Sequence, residues 1–185
     1  MSESVWFTSD THFGHRGILT LGHGRPFDSV EEMDEAMIER WNAMVKPSDR
    51  IYHLGDFSFH GRQKTREVVG RLNGRKFFVR GNHDSVMDGM DWAFEAVYEY
   101  KEIKYGFPNA SEQRRIVLFH FPIQSWHQVG RGSWHLHGHC HGNLPQTEMA
   151  RQDVGVDTHD FYPWHVDEIA EAMKDRIGLP GDHHG

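Results

Sequence analysis

The chain has 185 residues, 37% of them hydrophobic and 25% charged, with a formal net charge of −7, 16 histidines and a single cysteine. That length suits one domain with a real core, taken here as residues 1–185, and no apolar run approaches the ~20 residues needed to cross a bilayer. The acidic balance disfavours an extended nucleic acid as partner, since such binding needs many Lys and Arg contacts to phosphates, whereas a small phosphorylated substrate stays compatible because bound metal ions bring their own positive charge. Cys140 alone excludes an internal disulfide, no secretory leader is read in the acidic start, and a cytoplasmic protein is the expectation.

Residues 5–8 (Val-Trp-Phe-Thr) read as a short buried strand running into Ser9-Asp10. After a Gly- and His-rich loop, Ser29 and Glu32 make a capping-box pattern. It opens a helix whose apolar face is Val30, Met33, Met37, Trp41, Met44 and Val45. Residues 50–54 form a second strand, ending at Gly55-Asp56, and residues 62–72 a second helix, stopped by Asn73-Gly74. A third strand at 76–79 ends at Gly81-Asn82-His83-Asp84. The pattern then predicts a weaker helical stretch at 87–95, strands at 96–105 and 114–119, and a strand at 134–137. A short strand at 153–156 and a terminal helix with Val166, Ile169, Ala170, Met173 and Ile177 on one face complete the chain. Alternating strands and helices predict βαβ units and a partly parallel sheet; the later strands predict a second, more antiparallel one.

Five of these strands end in metal-binding residue types: Asp10 and His12, Asp56, Asn82 with His83 and Asp84, His120, and His139 with His141. In α/β sheets, ligands gather beyond the C-terminal ends of the strands. The seven of these taken as ligands, Asp10, His12, Asp56, Asn82, His120, His139 and His141, give three oxygen donors and four imidazoles, too many for one four- to six-coordinate ion and suited to two ions sharing a bridging carboxylate. Asp10 and His12 are two residues apart, as are His139 and His141, so each pair can project to one side of an extended segment. Any one cluster is weak, because a Gly-Asp pair is commonly just a turn. Five in this order, each after an apolar strand, make coincidence a poor explanation.

Taken together, D-x-H, G-D, G-N-H-D, H and G-H-x-H resemble the signature of the calcineurin-like metallophosphoesterase superfamily, over residues 5–157. Arg25-Pro26-Phe27 and His135-Leu136-His137 are also similar to a small bacterial and phage branch of it, with Gly17 departing from the Asn expected there. The resemblance implies an α/β fold, a four-layer αββα sandwich with two mixed sheets. It implies that Asp10, His12, Asp56 and His141 hold one divalent ion and Asp56, Asn82, His120 and His139 a second, with Asp56 bridging. Manganese is the first expectation for the ions, with iron, zinc, nickel or cobalt as other possibilities. His83 would be the general acid, oriented by Asp84. The chemistry is consistent: paired metals activate water for in-line attack at phosphorus, and a histidine protonates the leaving alkoxide near neutral pH.

The remaining candidates are divided. His15, Arg16 and His60 follow the first ligand clusters and are either substrate contacts or solvated loop residues. Arg80 reaches a phosphate or an ion pair at its strand end, and His127 is expected to line the pocket. His53, His135 and His137 are expected to be structural. The pocket itself is expected from residues 13–28, 57–62 and 124–132. A phosphodiesterase acting on a small nucleotide or other phosphodiester is the leading expectation. A phosphomonoesterase, a non-catalytic scaffold on the same fold, or a hydrolase of another bond are the alternatives; the last typically shows H-x-H-x-D-H, which is absent here.

Overall fold

A computed structural model of the protein describes residues 3–21, 24–108, 110–145 and 148–177. Of the His-rich loop at 12–23, Gly22 and His23 lie outside the described residues. The elements are β1 (Val5–Thr8), α1 (Val30–Met44), β2 (Arg50–His53), α2 (Arg62–Arg71), β3 (Arg75–Val79), β4 (Ala96–Tyr98), β5 (Lys101–Tyr105), β6 (Arg114–Leu118), β7 (Trp134–His137), β8 (Arg151–Asp153), β9 (Trp164–His165) and α3 (Val166–Met173).

They build two mixed sheets, one ordered β4-β3-β2-β1-β9 and the other β5-β6-β7-β8. In the first, β1 through β4 are parallel and β9 is antiparallel to β1. In the second only the β5–β6 pair is antiparallel, so this sheet is less antiparallel than the sequence suggests. Strand alternation explains how the layers pack. Trp6, Ile51 and Phe78 point to one face, where they meet Met33, Met37 and Trp41 of α1 and Val68 and Val69 of α2. Val5, Phe7, Tyr52, Leu54 and Val79 point to the other and share a buried cluster with Ile116, Leu118 and Leu136 of the second sheet. Val166, Ile169 and Met173 of α3 join that inter-sheet core. The two-sheet α/β architecture is the one the resemblance implies.

Local chemistry sets the helix starts. The Ser29 side chain accepts the Glu32 N–H at 3.1 Å, and the Glu32 carboxylate accepts the Asp28 N–H at 2.8 Å. At α3 the cap is a histidine: His165 Nδ1 accepts the Asp167 N–H at 3.3 Å, while Glu168 accepts the His165 N–H at 2.6 Å. No helix among the described residues is long and apolar enough to cross a membrane.

Four expectations are corrected. Residues 96–105 are two strands in different sheets: Tyr98 pairs with Val79, Lys101 with Leu118, and the chain changes sheets at Glu99-Tyr100. The helical stretch at 87–95 is instead a pair of short 3-10 turns, Asp84–Met87 and Asp91–Ala93, separated by Gly89 at φ +74°. The strand at 153–156 lies earlier, as β8, and Val156 already starts a 3-10 turn. Ile177 falls outside α3 and is exposed, while β9, only two residues long, carries no periodic signal. Because Phe78 is fully buried against His53, Phe57 and Phe94, Phe78→Ala should lower the unfolding free energy by about 3–5 kcal/mol, measured by urea denaturation of the metal-free protein.

Candidate metal centre

The parallel strands of both sheets deliver their C-terminal ends to one place. Asp10 and His12 follow β1, Asp56 follows β2, Asn82 and His83 follow β3, His120 follows β6, and His139 and His141 follow β7. The crests are stitched together by backbone and side-chain bonds. Val156 donates to the Ser9 carbonyl at 3.0 Å, and the His139 N–H donates to the Asp10 carboxylate at 3.0 and 3.1 Å. His120 Nδ1 lies 2.7 Å from the Leu54 carbonyl, which turns its Nε2 inward.

Two groups of donor atoms result, Asp10 with His12 and His141, and Asp56 with His120 and His139; within each group they lie within 4.8 Å of one another. Asp56 stands between them. Its Oδ2 lies 3.6 Å from His12 Nε2 and 3.5 Å from His120 Nε2, and its Oδ1 accepts the His83 N–H at 2.8 Å. Asn82 Oδ1 is 3.0 Å from both His120 Nε2 and His139 Nδ1.

The turns that hold these side chains are strained. Among the described residues, eight non-glycine positions have left-handed φ, and five of them are Asp10, His12, Asp56, His139 and His141. Such geometry costs of order 1–3 kcal/mol per residue and persists where the surroundings over-determine it. Close approach is also enforced at Gly138, where a Cβ would run into the side chains of Ser9 and Asp10.

Divalent ions fit this donor set on a direct observation. Both ring nitrogens of His12 are buried with no hydrogen-bond partner, an arrangement that is costly unless something else satisfies them. Burial, reinforced by the nearby His141 and Arg25, drives the His12 pKa down to about 2, so the ring is neutral and its lone pair is available to a metal. The Asp10 carboxyl is raised well above its ordinary range, chiefly by complete burial.

Residues 4–183 match the family described as calcineurin-like phosphoesterase. The chain belongs to the calcineurin-like phosphoesterase family. It is 36% identical over 178 residues to an uncharacterized protein of Methanocaldococcus jannaschii, covering 92% of this chain and 91% of that one. The gene 66 protein of Mycobacterium phage L5 is 29% identical over 167 residues, covering 76% of this chain and 79% of its own. A solved structure of a protein of unknown function from Aquifex aeolicus superposes with a TM-score of 0.75 at 26% identity, over 92% of this chain and 100% of that one. The chain is therefore a metal-dependent phosphoesterase, a hydrolase whose two ligand clusters suit divalent ions.

The layer behind the phosphoesterase's ligands contains two residues for which the sequence gives little signal. Arg25 is buried; its guanidinium donates to the Asp10 carbonyl at 2.6 Å, to the Thr11 carbonyl at 2.8 Å and to both oxygens of Asp157 at 2.9 Å. Asp157 also lies 2.7 Å from His141 Nδ1, which aims His141 Nε2 at Asp10. Burial opposes ionisation of Asp157, but His141 and Arg25 outweigh it and hold its carboxyl at about 2. Only the Arg-Pro-Phe triplet and an acid shortly after a strand end hint at this pair.

Several sequence candidates are occupied elsewhere. Asp84 does not orient the His83 ring: its buried carboxylate accepts the N–H groups of Asp56, Phe57 and Gly81 at 2.6–2.9 Å, clamping two ligand turns together. His60 pairs with Asp34 of α1 at 2.6 Å, His127 with Glu102 at 3.0 Å, and Arg80 with Asp88, Asp91 and Glu99. Arg16 is exposed on a 3-10 turn and is not part of the cavity wall. His15 does line the cavity beside the candidate ligands, its ring stacked on Phe59 at 4.0 Å. Segments 57–62 and 124–132 are not part of that wall; His141, Asn143, Asp157, Thr158, Asp160 and Phe161 take their place.

Replacing Asp157 tests this support. Asp157→Asn should weaken manganese affinity by about 10–100-fold, read by calorimetric titration. The native carboxyl, held at about 2 against an ordinary 3.8, stabilises the metal-free fold above pH ~4 and loses that contribution as pH falls from about 4 towards 2. The variant should therefore be less stable than the native protein at neutral pH, by roughly 2 kcal/mol, with the gap closing across that acid window in denaturation series.

Proposed function

We propose that this phosphoesterase hydrolyses a small phosphodiester at a centre of two divalent ions, with His83 as proton donor to the leaving group. Asp10, His12, Asp56 and His141 hold one ion, and Asp56, Asn82, His120 and His139 the other. The observation that carries this reading is the position of Asp56 Oδ2, 3.6 and 3.5 Å from imidazole nitrogens of the two separate clusters. Mixed carboxylate, amide and imidazole donors suit manganese first, and accommodate iron, zinc, nickel or cobalt. When bound, such ions supply Lewis acidity to a water and to the phosphoryl oxygens.

The chain's own contribution is position and proton transfer. The His83 ring is exposed at the mouth, with its centre 6.0 Å from that of His12, and takes no hydrogen bond among the described residues. Its backbone N–H is fixed on Asp56, so the ring sits beside the ligands while its nitrogens stay available to a substrate oxygen. His60 and His127, spent on Asp34 and Glu102, are not available in this way. The preference for a diester over a monoester rests on space: the ligands border a cavity of about 730 Å³, room for a second ester limb. A reducing, cytoplasmic setting accords with the lone Cys140.

Chelation should abolish hydrolysis of bis(p-nitrophenyl) phosphate, and manganese should restore it. His83→Ala should keep the metal stoichiometry measured by calorimetry while lowering kcat by about 10²–10⁴-fold on a diester with an alkyl leaving group. The loss should be smaller for p-nitrophenolate, which departs without a proton. Turnover indifferent to chelation would refute the metal assignment; a His83→Ala variant that releases metal would refute the acid assignment.

A further inference from the structure

A second cavity, of about 220 Å³, lies between β8, the end of α3 and the loop after His141. None of the candidate metal ligands lines it, and among the described residues Thr158 alone belongs both to its wall and to that of the cavity beside them. Two arginines line it, Arg151 of β8 and Arg176 beyond α3. Among the described residues their guanidinium bonds go to neutral groups only. Arg151 Nη1 donates to the Ile123 carbonyl at 3.2 Å, and Arg176 donates from Nη1 to the Arg151 carbonyl and from Nη2 to Gln152 Oε1 at 2.9 Å. Outside the described residues, Asp182 is the one acid of the sequence.

A guanidinium carries five N–H donors, so several are left over. Nε and Nη2 of Arg151 and Nε of Arg176 make no bond among the described residues, and none of them is a buried orphan, so they stay open to the cavity or to solvent. Burial, then the neighbouring Arg151 charge, lowers the Arg176 pKa, which is the cost of bringing two like charges together. The one acid in the described wall is held by other donors: Asp153 Oδ1 accepts the Gly155 N–H at 2.8 Å and Oδ2 the Gly142 N–H at 3.0 Å. The remaining side is apolar. Leu144, Pro145 and Ala172 stand with Trp164, whose ring is stacked on His159 at 4.0 Å and whose Nε1 donates to Thr158 Oγ1 at 3.3 Å.

Size and charge together narrow the ligand. The volume is below the ~300–1,000 Å³ of sites for drug-sized molecules, so the occupant is small. A phosphate monoester brings roughly −1.5 to −2 charge at neutral pH and three oxygens for guanidinium donors, whereas a carboxylate brings one charge and two oxygens. We infer that this cavity is an anion site distinct from the metal centre, which takes the phosphate head of a small monoester on Arg151 and Arg176 and its apolar limb against Trp164. The inference does not depend on the phosphodiesterase reading. Free phosphate shares the chemistry of the head and is the weaker ligand, because it leaves the apolar side unfilled.

Binding is read on metal-free protein, so that no ion at the other site competes for phosphate. The probe is the indole N–H NMR signal of Trp164, identified by its loss in Trp164→Phe. Inorganic phosphate should shift that signal saturably, phenyl phosphate should do so with about tenfold higher affinity, and acetate should leave it in place. Arg151→Gln and Arg176→Gln, on different elements, should each weaken phenyl phosphate binding by about 10–100-fold, whereas His83→Ala, in the other cavity, should not change it. A signal that neither phosphate moves overturns the inference, and a cavity whose charge is already met by Asp182 gives that same result. Native affinity in the folded arginine variants, or affinity lost in His83→Ala, puts the phosphate elsewhere and overturns it too. Equal affinity for inorganic and phenyl phosphate overturns the monoester clause, and an equal response to acetate overturns the choice of phosphate.

Discussion

The carboxylate of Asp56 is the group on which the rest of the centre depends. One oxygen is held by the His83 N–H, the other faces an imidazole from each ligand cluster, and its own N–H is anchored on Asp84. Three strand ends of the first sheet are thereby tied into one unit, and His120 brings in the second sheet through its bond to Leu54. The fold's main task near the site is to hold this carboxylate still, almost without solvent contact, among imidazole rings. Burying a carboxylate this way is costly unless positive charge is brought to it.

A division of labour surrounds it. Arg25 and Asp157 form a buried, paired layer that fixes the backbone carbonyls of Asp10 and Thr11 and the orientation of His141. Asp84 does the same for the turns after β2 and β3. The groups left unpaired are therefore those that face the ions and the substrate: both nitrogens of His12, Nδ1 of His15 and the ring of His83. Among the described residues only two other buried side-chain atoms, Thr8 Oγ1 and Arg50 Nε, also lack a hydrogen-bond partner, so most such exceptions gather at this site.

The candidate ligand positions were legible because each is a metal-binding residue type placed just after an apolar strand, and the order of the clusters follows the order of the strands. Strand order could be read; strand partners could not. Residues 96–105 look like one strand because hydropathy runs unbroken across the point where the chain passes from one sheet to the other, a purely tertiary event. Asp157 and Arg25 are 132 residues apart, so neither announces the other. His60, Arg80 and His127 illustrate the converse: nearness in sequence to a ligand motif says nothing of the carboxylates at Asp34, Asp88 or Glu102 that folding sets beside them.

The left-handed turns also restrict how such a centre can change over evolutionary time. Asp, Asn and His are the non-glycine residues that best tolerate positive φ, and they are also good metal donors. At Asp10, His12, Asp56, His139 and His141 a substitution must satisfy both demands, so exchanging Asp for the longer Glu alters backbone preference along with reach. Asn82 and His120 have ordinary backbone conformations and face only the chemical demand. Of the candidate ligands, Asn82 and His120 are therefore the two at which a substitution is held by donor chemistry alone, both on the side of His139.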